Sequence, residues 1–272
     1  MEILCSTGAL IGKPNNRDYR LLEGLAGKLS CDGFEFMMYE SWYEERNTIV
    51  EYLRRIGLHI PVMHCEKHIG EALSNGTEAD LAEAFRRFEV NCEMAEVLGA
   101  KKLVCHLWDG ITSDRNFGCN LEAYGRLSEV AKKHNVVILV ENVVCNVENP
   151  MKHWCELVER YPEICFVFDT KMAAFHEEET LLYQPEYEWL WRQGHIRHYH
   201  VNDYEGGYKE WRKLKTLPIG EGHVDFVRFF DFVRETGYDE AFTVEATAFD
   251  QQGVVDTKML NGCFEKIRTY MR

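Results

Sequence analysis

Short apolar runs alternate with longer amphipathic stretches along the whole chain. The short runs are Ile3-Leu4-Cys5, Phe34-Glu35-Phe36-Met37, Ile60-Pro61-Val62-Met63 and Leu103-Val104-Cys105. They continue with Val136 to Val140, Cys165-Phe166-Val167-Phe168, Ile196 to Val201 and Phe242-Thr243-Val244. Each is short enough for a buried strand and rich in β-branched or aromatic residues. Helical periods lie between them, and the clearest runs from Thr77 to Leu98. Thr77 and Asp80 form a capping-box pattern with Asp in place of Glu or Gln. Leu81, Ala84, Phe85, Phe88 and Ala95 share one face, and Gly99 stands where a C-cap glycine belongs. Leu121 to His134, Met151 to Arg160, Val227 to Thr236 and Lys258 to Tyr270 carry similar patterns. The stretch from Ala173 to Trp191 is less regular and is interrupted by Pro185.

Eight strands alternating with helices predict a parallel sheet, because each crossover must return over a sheet face. An open doubly wound sheet would show a glycine-rich phosphate loop after its first strand, and Ser6-Thr7-Gly8-Ala9 is not one. The count of eight therefore points to a closed (β/α)8 TIM barrel. A length of 272 residues suits one such barrel. With only six prolines and no Gly/Ser-rich stretch there is no linker to cut, so residues 1–272 are read as a single domain.

Composition narrows the partners. Hydrophobic residues make up 46% of the chain, enough for a sizeable core, which excludes disorder. Thirty-one basic against 45 acidic residues give a formal charge of −14. A field of that sign repels phosphate backbones and anionic membranes. Lys101-Lys102 and Lys209 to Lys215 are the only basic runs, and solvated surface is the simpler reading of both. No apolar run reaches the ~18 residues of a membrane helix. The ten cysteines include no Cys-x-x-Cys, and Met1-Glu2-Ile3-Leu4-Cys5 is no signal peptide, so a cytoplasmic, reducing setting is expected. Neither nucleic acid nor membrane is an expected partner, and the oligomeric state is left open.

Barrel chemistry sits at the C-terminal strand ends. The third run ends in His64, the fourth in His106, the fifth in Glu141, the sixth in Asp169, the seventh in His200 and the eighth in Glu245. Any one could be a polar loop residue; six in succession, all His, Asp or Glu, form a pattern. Parity agrees, since Leu139 and Glu141, Val167 and Asp169, and Thr243 and Glu245 each project the same way. Converging carboxylates repel unless a cation lies between them. Glu141, Asp169, His200 and Glu245 make a hard, oxygen-rich set suited to one divalent ion. Mn2+ is the first choice, with Co2+, Mg2+, Fe2+ or Zn2+ as alternatives.

The phrases Val140-Glu141-Asn142, Phe168-Asp169-Thr170, His200-Val201-Asn202-Asp203, Ile219-Gly220-Glu221-Gly222-His223-Val224-Asp225-Phe226 and Val244-Glu245-Ala246 resemble the xylose isomerase-like TIM barrels. That superfamily includes sugar phosphate isomerases and epimerases, tagatose-type 3-epimerases, inosose dehydratases and endonuclease IV. The resemblance runs the length of the chain. It implies that Glu141, Asp169, His200 and Glu245 hold a metal, and that Glu141 and Glu245 act as the catalytic acid–base pair of the epimerase branch. It places His64 and His106 where the nuclease branch holds a second zinc and where, in other branches, they face substrate or fill the pocket; a merely polar rim is the alternative reading of both. Endonuclease IV has a histidine three residues after the strand-six aspartate, where this chain has Met172. It also has an Asp-x-His pair before its glycine loop, where this chain reads Lys213-Leu214-Lys215-Thr216-Leu217-Pro218.

Four further placements follow. Gly220 and Gly222 are expected to permit a tight turn into a helix capped by Asp225. Asp203 is expected to orient His200 or to bind substrate. Lys171 is either a solvated lysine or a contact to a phosphate or carboxylate. Trp108 is either a pocket wall for a sugar face or a rim aromatic. The expected function is a divalent-metal-dependent isomerase or epimerase acting on a small sugar or sugar phosphate by proton abstraction beside a carbonyl. The alternative is a lyase or dehydratase on a keto-sugar or inosose using the same site. An abasic-site nuclease is opposed by the charge and the missing ligands, and a barrel that binds a sugar or metal without turnover by the intact glutamates.

Overall fold

The computed structural model describes residues 1–272. Its strands are Glu2–Ser6 (β1), Gly33–Met37 (β2), Val62–His64 (β3), Lys102–Cys105 (β4), Val137–Glu141 (β5), Cys165–Asp169 (β6), Ile196–His200 (β7) and Ala241–Val244 (β8). They pair in sequence order, and β8 returns to β1 in parallel register, Ile3 opposite Phe242 and Leu4 opposite Thr243. This is a closed (β/α)8 barrel, with every apolar run of the sequence carrying a strand. Its contacts group into two compact units, one of Met1–Glu35 with Phe168–Arg272, the other of Phe36–Val167. No helix is long and apolar enough to cross a membrane. All ten cysteines are free thiols.

In the first unit, alternate strand residues split between two environments, as a period of two demands. Phe168 stacks on Phe229 at 6.5 Å between centroids, Tyr199 meets Phe229 edge-on at 5.4 Å, and Phe242 meets Phe230 at 5.6 Å. Phe229 and Phe230 belong to the helix Phe226–Thr236, which Asp225 caps by accepting from the Arg228 N–H. These aromatics form the packed layer between strand and helix. The residues of opposite parity, His198, His200 and Thr243, are also buried but polar.

In the second unit Trp154, on the helix Pro150–Arg160, stacks on Phe166 of β6 at 4.3 Å. The helix Glu78–Leu98 begins where its cap predicts: the Thr77 hydroxyl accepts from the Asp80 N–H at 3.1 Å. It ends on Gly99 at φ 83°. Its buried side is broader than the expected stripe, taking in Val90, Cys92 and Met94 with Ala84, Phe88 and Ala95. The helix expected from Leu121 begins earlier, at Phe117, because Phe117 is buried face to face with His153 at 3.7 Å. The expected irregularity of Ala173 to Trp191 is real. It resolves into the helix Thr170–Phe175, two 3-10 turns and the short helix Trp189–Arg192. Gln184 is extended before Pro185, as the proline ring requires.

Replacing Thr77 by Ala removes a cap acceptor from the longest helix. The expected loss is about 1 kcal/mol of unfolding free energy, with Thr77→Ser close to wild type. Urea denaturation of the two variants measures it, and equal midpoints for all three proteins would contradict the capping role.

Candidate metal centre and active site

The first unit builds its site around a residue that sequence reasoning passed over. Glu35, on β2, is fully buried, and its Oε2 accepts from His198 Nε2 and His200 Nε2, both at 3.1 Å, and from the Thr243 hydroxyl at 2.8 Å. Burial alone would raise the Glu35 pKa, but the charge and hydrogen bonds of His200 and His198 hold it well below the usual carboxylate range. An ionised carboxylate only accepts, so when His200 is neutral, as a metal ligand must be, its one proton sits on Nε2. That leaves Nδ1 with a lone pair, and Nδ1 lies 3.6 Å from Glu245 Oε2 and 4.0 Å from Asp169 Oδ2. A carboxylate that orients a histidine so that its other nitrogen faces a metal position is the usual supporting arrangement of such sites.

Asp169 is fixed from two sides. Its Oδ1 accepts from the Met172 N–H at 2.9 Å as N-cap of the helix Thr170–Phe175, and its Oδ2 accepts from Asn202 Nδ2 at 3.2 Å. The same Asn202 side chain accepts the Glu245 N–H at 2.8 Å. One amide therefore spaces the two acids, and Asn202 too was missed as a positioning residue. Asp169, His200 and Glu245 offer ligand atoms within 4.8 Å of one another. Glu245 Oε1 is buried and has no hydrogen-bond partner. Two carboxylates, an imidazole lone pair and an unsatisfied acceptor form a donor set that fits a hard divalent cation.

In the second unit the ends of three strands meet at Glu141. Its Oε2 lies 2.6 Å from His106 Nε2 and 3.5 Å from His64 Nε2. His106 Nδ1 is held by Asp109 Oδ2 at 2.5 Å, and His64 Nδ1 by the Cys65 carbonyl at 2.7 Å. Burial pushes the His106 pKa down, yet the charges of Asp109 and Glu141 outweigh it and lift the ring to about 9. Asp109 was another omission; its spacing of three from His106 was the available signal.

Several expected placements change. Asp203 does not serve as a support for His200: its two oxygens accept the N–H groups of Tyr204, Gly220, Gly222 and Val224 at 2.8 to 3.1 Å. It clamps the loop after β7. Gly220 takes the left-handed turn at φ 84°, as expected. Gly222 is small for a different reason, since a Cβ there would lie 2.2 Å from the Tyr204 carbonyl oxygen. Trp108 is wholly buried, its indole donating to the Val143 carbonyl at 3.0 Å, so it is a core residue and not a rim aromatic. Lys171 is buried and not solvated, 3.1 Å from the Thr216 hydroxyl and 4.0 Å from Asp169 Oδ2.

The loop after β5 has its own clamp. Asp114 accepts the N–H groups of Asn146, Val147 and Glu148 at 2.7 to 2.9 Å and pairs with His153 Nε2 at 3.0 Å.

The fold and its ligand-rich strand ends define a TIM barrel of the type that gathers acids and histidines at one rim. A sequence model of the xylose isomerase-like TIM barrel matches residues 25–258, and the chain belongs to that family. A search of curated protein sequences gives no match. Among solved structures, D-allulose 3-epimerase from Methylomonas sp. in complex with D-allulose is similar with a TM-score of 0.72 at 15% identity, over 99% of this chain and 97% of that one. L-ribulose 3-epimerase gives 0.74 at 15%, over 99% and 94%. The IOLI protein with a bound zinc atom gives 0.70 at 16%, over 100% and 98%.

Burial would raise the Asp114 carboxyl, but His153 and the three backbone donors depress it well below the usual carboxylate range. A depressed folded pKa stabilises the protein above the unfolded value of about 4 and loses that contribution as pH falls toward the folded value. Asp114→Asn is therefore expected to cost about 1–3 kcal/mol at pH 7. The gap to wild type should narrow below about pH 4. Urea unfolding across pH 7 to 3 reads both, and a gap independent of pH would remove the charge from the explanation.

Proposed function

We propose that this chain is a divalent-metal-dependent sugar isomerase or epimerase that moves a proton on the carbon beside a carbonyl. The observation that carries this reading is the convergence of buried Asp169 and His200 with half-buried Glu245, with His200 turned by Glu35 and with an unsatisfied oxygen on Glu245. Glu141 is the proposed fourth ligand, since β5, β6, β7 and β8 are consecutive in the closed strand order, the first three end in a member of the set, and Glu245 directly follows the fourth. Mn2+ is the first candidate. The bound zinc and the bound D-allulose of two similar structures support a metal and a carbohydrate in general terms.

When bound, the divalent ion supplies a Lewis acid for a carbonyl oxygen. The proton work falls to Glu141 and Glu245, one removing the proton and the other returning it, with roles exchanged in the reverse direction. His106 Nε2 at 2.6 Å and His64 Nε2 at 3.5 Å flank Glu141 Oε2 as close charge contacts. We assign that pair to positioning Glu141 beside a substrate, rather than to a second metal. The family match spans residues 25–258, which supports reading the chain as one domain.

Two measurements test this. Equilibrium dialysis against Mn2+ with elemental analysis should find about one ion per chain. Affinity should drop ~10–100-fold in Glu35→Gln, because the orienting charge on His200 is lost. Metal binding untouched by substitution of Asp169, His200 and Glu245 would rule out the centre. Incubation with a ketose panel in D2O should place deuterium on carbon. Glu141→Gln and Glu245→Gln should each lower turnover by ~10²–10⁴-fold. Normal turnover in both variants would refute the proton-transfer mechanism, and release of water or an alcohol would move the reaction to a lyase.

A further inference from the structure

Lys171 follows Asp169 by two residues, and its side chain is only 8% exposed. Its ammonium has three N–H groups. One donates to the Thr216 hydroxyl at 3.1 Å, and the nearest carboxylate oxygen, Asp169 Oδ2, is at 4.0 Å, beyond hydrogen-bond reach. That oxygen already accepts from Asn202, and Asp169 Oδ1 from Met172. A buried ammonium with two idle donors is costly unless an anion answers it. Asp169 answers it only in part, and less once its charge is shared with a metal.

Thr216 is held in place by the loop clamp. Asp203 and Leu217 pair through backbone bonds of 2.9 and 3.3 Å, and the Thr216 carbonyl accepts the Thr247 N–H, two residues past Glu245. Because the Thr216 hydroxyl accepts from Lys171, its own proton is available to a ligand oxygen. Thr216 also lines a cavity of about 970 Å³ with Leu214, Leu217, Phe249, Val254 and Met259. Thr216 therefore links this space, through its hydroxyl, to the Lys171 ammonium.

We propose that Lys171 and Thr216 form an oxyanion-binding subsite beside the metal ligands. It takes a carboxylate or phosphate carried by the substrate, or the enediolate oxygen formed during proton transfer. The placement beside a reacting carbonyl rests on the function proposed above; the affinity for an oxyanion does not. A hydrogen bond to a charged group contributes about 1.5–3 kcal/mol, which corresponds to ~10–100-fold in binding.

The test is calorimetric titration of the Mn2+-loaded protein with D-fructose, D-fructose 6-phosphate and D-fructuronate. Lys171→Met and Lys171→Arg are compared with wild type. Undiminished Mn2+ affinity in Lys171→Met shows that its site is folded. A preference for either charged sugar of ~10-fold or more in wild type, lost in Lys171→Met and partly kept in Lys171→Arg, supports a permanent anion and says which one. With no such preference, a ~10-fold or larger fall in deuterium exchange into D-fructose at unchanged affinity in Lys171→Met supports the transient oxyanion. A charge preference that survives in Lys171→Met overturns the proposal. So does the absence of any preference together with exchange that is unaltered or undetectable. Failure of wild type to exchange any ketose counts against the epimerase reading alone, since the charged-sugar titration still decides the subsite.

Discussion

A single buried carboxylate organises the ligand cluster of the first unit. The interior of such a barrel is ordinarily filled by branched aliphatic residues in layers. Here Glu35 sits at that depth, and an isolated charge there would be far too costly to keep. It is retained because His198, His200 and Thr243 all donate to the same oxygen. Those donors come from β7 and β8, so the acid on β2 settles the ring orientation of His200 and the rotamer of Thr243 at once. Everything nearer the rim depends on that choice: with Nε2 committed inward, Nδ1 is the nitrogen that meets Asp169 and Glu245.

The loops above the strands are held by a second device, used once in each unit. Asp203 gathers four backbone N–H groups of the loop after β7, and Asp114 gathers three from the loop after β5 together with His153. A carboxylate with several backbone donors fixes a loop without regular structure, because the chain's own dipoles point inward at a charge. Gly222 completes the first clamp by letting the loop come against the Tyr204 carbonyl, where any side chain would collide. Both loops are thereby fixed at their bases by a buried charge.

The barrel was legible because its signal is periodic and repeated. Eight apolar runs, each flanked by helical pattern, carry the same message many times over. The strand-end residues were legible because parity and position coincide: Leu139 precedes Glu141, Val167 precedes Asp169 and Thr243 precedes Glu245, each by two residues. What escaped were residues whose role depends on a partner far along the chain. Glu35 lies between phenylalanines in an apolar run, and a lone acid in a buried strand was a sign, but nothing local named His198 and His200 as its partners. Asn202 was visible only as part of a phrase, since bridging Asp169 and Glu245 needs three strand ends in space. Asp203 was assigned to the nearest histidine in sequence, whereas its donors lie beyond it in the loop. Trp108 and Lys171 misled for one reason: side chains of their type are usually found at least partly in water, and burial is decided by the surrounding loops.

Similarity of fold at 15% identity to structures of D-allulose and L-ribulose 3-epimerases leaves open how one scaffold separates its substrates. On the function proposed above, the answer lies in what surrounds Asp169, His200 and Glu245, because a metal held by them would act on the carbonyl of any sugar. In this chain the helix leaving β6 presents Met172 with its N–H on Asp169, and Lys171 beside it toward Thr216. A thioether offers a substrate no strong hydrogen bond, while an ammonium offers up to three. A polar group at Lys171 instead of at Met172 differs in charge as well as in direction, and it leaves in place the cap that holds Asp169. Discrimination by charge is also the form of specificity a buried site delivers most strongly, since an unanswered ion is penalised far more than a missing methylene. On the two proposals above, the N-cap Asp169 and Lys171 would set a metal ligand and a reader of substrate charge two residues apart.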